Sequence, residues 1–181
     1  EAAALAIGPA PGIATMSSFF LMEMPDGRAV IFADCALNVA PDAQALADIA
    51  RASAASARAL LGHGEVALLS FATGASGAGP SVDIVRQAAE ITGFSGPVQG
   101  DAALNAAIAK AKGAGSGSAN VLVFPNLDAG NIAYKLMQEL AGARAYGPVL
   151  QGFARPVCDL SRGARVDDIV NATLLTIVLA D

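Results

Sequence analysis

A chain of 181 residues with 54% hydrophobic and 15% charged side chains can bury one core without disulfides or metals. Its formal charge of −5, with Lys and Arg scattered and few aromatics between them, lacks the footprint of a nucleic-acid or acidic-membrane partner. No strongly apolar, uncharged run reaches the roughly 18 residues of a membrane span, the nearest being 171–180, so the apolar residues are expected to form a core.

Residue 1 is Glu and no basic segment precedes an apolar run, so the start reads as a boundary and the chain as a fragment of a longer protein. A helical stub over 2–7 ends at Gly8-Pro9-Ala10-Pro11-Gly12, a Pro/Gly cluster that reads as a hinge. Apolar runs over 15–24 and 29–33 follow, and Pro25-Asp26-Gly27 between them predicts a hairpin turn. Residues 43–61 place Leu46, Ile49, Ala50, Leu60 and Leu61 at helical spacing behind a Pro41-Asp42 start. Strand runs then fall at 65–71, 120–124 and 148–152, with helical segments at 81–92, 102–112, 129–140 and 166–179 and a short flexible loop at 113–117. Arg155-Pro156 makes a second break before the last helix. Alternation of this kind predicts an α/β fold of three layers, α/β/α, around a mainly parallel sheet opened by one antiparallel pair.

Four segments have groups capable of chemistry. The glycine-rich run 74–79 sits between a strand and a helix where free amides can hold an anion, yet it matches neither the dinucleotide fingerprint nor the P-loop and reads first as a structural turn. Asn126, Asp128 and Asn131 follow a buried strand, where open α/β sheets place ligand groups; Asp128 alone also suits a helix cap. Asn131 shares a helical face with Tyr134 and Lys135. The sharpest cluster is Asp159, Ser161, Arg162, Asp167 and Asp168, which reads either as a capped helix with an ion pair or as a reactive set. In the second case Arg162 offers a fork for phosphate, Ser161 a donor for an oxyanion and Asp168 an acceptor for a thiol or hydroxyl proton. His63, alone at a helix end, is expected to be structural, and one histidine excludes a Ser-His-Asp or Cys-His hydrolase within this chain. Cys35 and Cys158, without ligand partners at metal spacing, are expected to be free buried thiols of a reducing compartment.

Ser17-Ser18-Phe19, Phe32-Ala33-Asp34-Cys35, Gln99-Gly100-Asp101, Val123-Phe124-Pro125-Asn126, Gly130-Asn131-Ile132-Ala133-Tyr134-Lys135, Gly147-Pro148-Val149 and Asp159-Leu160-Ser161-Arg162-Gly163, read in order, resemble the signature blocks of the phosphate acetyl/butyryl transferase family over nearly the whole chain. At Ala72, Gly74 and Ala75 the chain departs from the family's Ser-Thr-Lys-Gly-Ser pattern, so that loop is left out of the site.

The resemblance implies reversible transfer of an acetyl group between coenzyme A and phosphate, with acetyl phosphate as the other product. It implies a homodimer in the cytoplasm, coenzyme A as substrate, no cofactor and no metal. By the same analogy Ser161, Arg162 and Asp168 are catalytic, and Ser17, Asn126, Asp128, Asn131, Tyr134 and Lys135 bind substrate. The implied fold is isopropylmalate dehydrogenase-like, with 1–12 a hinge from an N-terminal domain, 13–152 an inserted α/β domain and 153–181 the returning segment that carries the Ser-Arg pair. Two other readings share that fold: a regulatory acyl-CoA-binding module, and an oxidoreductase that would need a carboxylate metal cluster absent from the sequence. Within the transferase reading, phosphate butyryltransferase is the alternative.

Overall fold

The computed structural model describes residues 2–160 and 163–180. The elements in chain order are α1 (Ala2–Ala6), β1 (Ser17–Glu23), β2 (Ala29–Ala33), α2 (Ala43–Leu61), β3 (Val66–Leu69), α3 (Pro80–Thr92) and β4 (Ser95–Val98). They continue as α4 (Gly100–Leu104), α5 (Ala106–Lys112), β5 (Val121–Val123), α6 (Leu127–Ala141), β6 (Arg144–Gln151), β7 (Val157–Cys158) and α7 (Val166–Val178). Local chemistry explains most boundaries. Asp42 caps α2 by accepting from the Ala45 amide at 2.8 Å, and Gly62 ends it in a left-handed conformation. Pro80 sits in the first turn of α3, where its missing N–H costs nothing.

One seven-stranded sheet runs in the order β4-β3-β5-β2-β1-β6-β7. The first four pair in parallel, while β1 is antiparallel to both neighbours and β7 to β6. The expected hairpin is present, with Phe20 opposite Phe32 and Met22 opposite Val30. Strand alternation divides the core in two. Phe19, Ile31, Leu68, Val121 and Val149 face α2 and α3, whereas Phe20, Phe32, Ala67, Val98 and Leu122 face α4, α5 and α6. Small residues Ala47, Ala50, Ala54 and Ala57 line the buried face of α2. Three layers result, as the alternation predicts.

Several expectations are corrected. Residues 95–98, absent from the expected strand runs, form β4 at the sheet edge, where the missing N–H of Pro97 is tolerated. The single helix expected over 102–112 is broken at Asn105, whose side chain accepts from the Ala107 and Ile108 amides and so starts a new helix. β6 begins at Arg144 rather than 148. Residues beyond 152 extend the same sheet: β7 pairs with β6, and Leu175 and Leu179 of the C-terminal segment pack on the first core cluster. The segments around 8–10 and 152–154 also run side by side, with the Ala10 amide donating to Gly152 and the Ala154 amide to Gly8.

Gly130, in the first turn of α6, is required by close approach. A Cβ there would press on the Asp34 carbonyl oxygen and stand 3.1 Å from the Cys35 sulfur. Gly130→Ala is therefore expected to destabilise the fold by about 1–3 kcal/mol, read as a lower urea midpoint at unchanged slope. An unchanged midpoint would mean that α6 and the loop after β2 separate freely.

Candidate active site

A cavity of about 340 Å³ lies on the α6 side of the sheet. Its walls are Phe20 of β1, Cys35 and Ala36 just past β2, the exposed edge of α6, residues 145–148 of β6, and the segment after β7 together with the first turn of α7. Asn131, Tyr134, Lys135 and Gln138 all line it from one helical face. Tyr134 stacks on Phe20 with ring centroids 4.1 Å apart, and the Lys135 ammonium lies 5.0 Å from the Tyr134 ring centroid. Among the described residues the charged lining groups are Lys135, Asp159 and Asp168.

Asp168 reaches the cavity from the N-terminus of α7, where one oxygen accepts from the Arg165 amide at 2.8 Å. The Asp159 amide donates to the Pro148 carbonyl at 2.9 Å, which pins Asp159 against β6. Ser161 and Arg162 lie outside the described residues. Their neighbours on both sides, Asp159, Leu160 and Ala164, are cavity-lining.

Three predicted residues fall elsewhere. Ser17 is fully buried on the opposite face of the sheet, donating to Gln151 at 2.9 Å in a polar network shared with Ser53 and Ser56 of α2. It is the next residue, Ser18, whose hydroxyl reaches Asp34 on the α6 side. Asn126 is the cap of α6, accepting from the Ala129 amide at 2.9 Å; the cap expected at Asp128 is thus corrected, and Asp128 is exposed in the first turn. Neither Asn126 nor Asp128 is a lining residue. His63 is exposed beyond the end of α2, its Nδ1 3.2 Å from the Leu61 carbonyl.

Gln138, Tyr146 and Phe20 were missed. Gln138 follows Asn131 by two helical turns and was reachable by periodicity. Tyr146 and Phe20 meet the site only through the pairing of β1 with β6, which no local pattern encodes. The Tyr146 hydroxyl donates to Glu23 at 2.6 Å. Burial, and then the Glu23 carboxylate, push this phenol above 10, against a smaller opposing effect of Arg144. A raised folded-state value means that its contribution to stability is complete below pH 10 and is lost as pH rises through that value. Ultraviolet titration should find Tyr146 ionising late, and Glu23→Gln should bring it part of the way down, burial being the larger cause; unchanged titration in that variant would remove Glu23 as a cause.

Burial also pushes the Cys35 thiol far above its usual range, with the adjacent Asp34 charge adding to the effect, so this lining group is a neutral thiol at pH 7 and a poor nucleophile. Cys158 is also free, and only half-buried. Among the described residues no three His, Cys, Asp or Glu side chains converge as a metal site. No helix among them is long and apolar enough to cross a membrane.

Comparison with known proteins gives one family. The model described as phosphate acetyl/butaryl transferase matches residues 1–177. A phosphate acetyltransferase of Clostridium acetobutylicum is 46% identical, covering 96% of this chain and 57% of the relative; one of Escherichia coli is 44% identical, covering 95% and 25%. The chain thus spans from a quarter to somewhat over half the length of these curated relatives. Among solved structures, a EutD phosphotransacetylase from Staphylococcus aureus superposes with a TM-score of 0.92 at 41% identity, covering 99% of this chain and 58% of that one. A branched-chain phosphotransacylase from Enterococcus faecalis superposes with a TM-score of 0.82 at 25% identity, covering 96% and 66%.

Proposed function

Because the chain belongs to the phosphate acetyl/butyryl transferase family, we propose that its protein moves an acetyl group reversibly between coenzyme A and phosphate at the cavity beside α6. The observation that carries this reading is the meeting of Asp168, the flanks of Ser161-Arg162 and the Asn131-Tyr134-Lys135 face of α6 around one cavity. In the direction of thioester synthesis, Asp168 takes the coenzyme A thiol proton as sulfur attacks the acetyl carbonyl. The Ser161 hydroxyl donates to the oxyanion, and Arg162 binds the phosphate that leaves with the electron pair of the broken C–O bond. Sulfur becomes a strong nucleophile only as it loses its proton, so the proton moves to Asp168 as the C–S bond forms.

Within the same proposal Lys135 and Asn131 contact the phosphoryl or carbonyl oxygens. Coenzyme A is a substrate, with no resident cofactor and no metal in any step. Ser17 and Asn126 act through the fold rather than on substrate, since the Ser17 hydroxyl donates to Gln151 and the Asn126 Oδ1 caps α6, while Asp128 lies outside the cavity lining. The pairing of 8–10 with 152–154 supports a domain crossing there, with 153–181 first adding β7 to the sheet of 13–152 before leading toward another domain. We extend the proposal to a cytoplasmic homodimer, which sedimentation of the complete protein would test. The direct test of the reaction is to mix acetyl phosphate and coenzyme A with the complete protein: acetyl-CoA should form. Binding of acetyl-CoA with no turnover would instead favour a regulatory acyl-CoA-binding module.

A further inference from the structure

Next to the cavity, but not part of its lining, Asp34 gathers more hydrogen bonds than any other side chain described, and we propose that it is a positioning residue for acyl transfer. It holds residues 35–38 against α6 so that the cavity wall keeps its shape. This inference rests on the acyl-transfer reading above.

Asp34 is 2% exposed at the end of β2. Its Oδ1 accepts from the Ser18 hydroxyl and from the amides of Ala36 at 3.0 Å and Leu37 at 3.2 Å. Its Oδ2 accepts from the Asn38 amide at 3.0 Å and from the Asn38 side-chain amide at 2.5 Å. Two carboxylate oxygens offer about four lone-pair positions, so both are saturated. Burying a carboxylate is costly unless such donors surround it. The arrangement makes sense where a loop must be fixed without apolar packing, and this loop has little: the side chains of Leu37 and Val39 are exposed.

What the loop fixes is the site. Cys35 and Ala36 line the cavity directly. The Cys35 carbonyl accepts from the Asn131 side chain at 3.1 Å, the Val39 carbonyl accepts from the Leu127 amide at 3.1 Å, and the Asp34 carbonyl lies against Gly130. Asp34 therefore connects β1, the loop and the first turns of α6, the helix that presents Asn131, Tyr134, Lys135 and Gln138. Loosening it shifts a cavity wall without removing any group that touches substrate.

The test uses Asp34→Asn in the complete protein, assayed well below its melting temperature. Asn keeps the size but turns an NH2 group toward donors. The expected result is a folded protein whose kcat falls about 10- to 100-fold, the scale of a roughly 1 Å misplacement, with KM for acetyl phosphate and coenzyme A changed far less. Hydrogen exchange should quicken at the amides of 36–38 and at the start of α6. Normal kcat with only a lower melting temperature would overturn the proposal. Should Asp34→Asn not fold, Asn38→Ala, which removes one side-chain donor from a half-buried position, decides: a smaller loss of kcat with faster exchange supports positioning, and normal kcat overturns it. A wild-type protein without acyl transfer would sink the acyl-transfer reading instead. Exchange would then still judge the link from Asp34 to α6, and unchanged exchange at 127–131 in the variant would break it.

Discussion

Asp168→Asn in the complete protein is expected to lower kcat by about 10²- to 10⁴-fold, the usual contribution of a positioned general base. Folding should survive the change. The carboxylate accepts the Arg165 amide at the third position of α7, and the Asn carbonyl oxygen can accept the same bond. KM for acetyl-CoA should move little, because in the proposed reaction the carboxylate acts on a proton rather than holding the thioester. Circular dichroism and steady-state kinetics on the same sample check both parts. Retained turnover would mean that the thiol proton leaves by another route, Asp159 being the other carboxylate in the cavity lining.

Arg162→Ala is expected to cut turnover by about two to four orders of magnitude through loss of transition-state charge stabilisation. Arg162→Lys should recover only part of it, because an ammonium supplies charge without the planar two-pronged donor that matches a phosphoryl group. The basis is chemical and positional: Arg162 lies in the family-like Asp159-to-Gly163 block, between residues that line the cavity. Measured kcat and the KM for phosphate would separate loss of catalysis from loss of binding. Near-normal kinetics in both variants would remove Arg162 from the mechanism.

Features with a local cause were legible in the sequence. Asp26-Gly27 specifies the hairpin by its turn chemistry, and the start of α2 follows from Asp42. The face of α6 at the cavity follows from residue spacing alone, which is why Asn131, Tyr134 and Lys135 were found together. What was not legible depends on pairing across long sequence separations. Alternation says that Ser17 and Ser18 point to opposite faces, but only the packing of α2 and α6 says which face holds the cavity. Phe20 and Tyr146 likewise reach the site through strands whose register is set more than 120 residues apart. The edge strand β4 was hidden by Gly96 and Pro97, residues that are breakers in a central strand and tolerable at an edge. At the start of α6, the Asn126 and Asp128 carboxyl or amide oxygens are equivalent as sequence signals; the backbone entry angle chose Asn126.

The measurement that tests the central claim most directly is thiol release from acetyl-CoA by the complete protein, with and without inorganic phosphate, with acetyl phosphate measured as co-product. Release that requires phosphate and matches acetyl phosphate mole for mole is the predicted result. Release without phosphate, yielding acetate, or no release while acetyl-CoA stays bound, would contradict acetyl transfer to phosphate at this site.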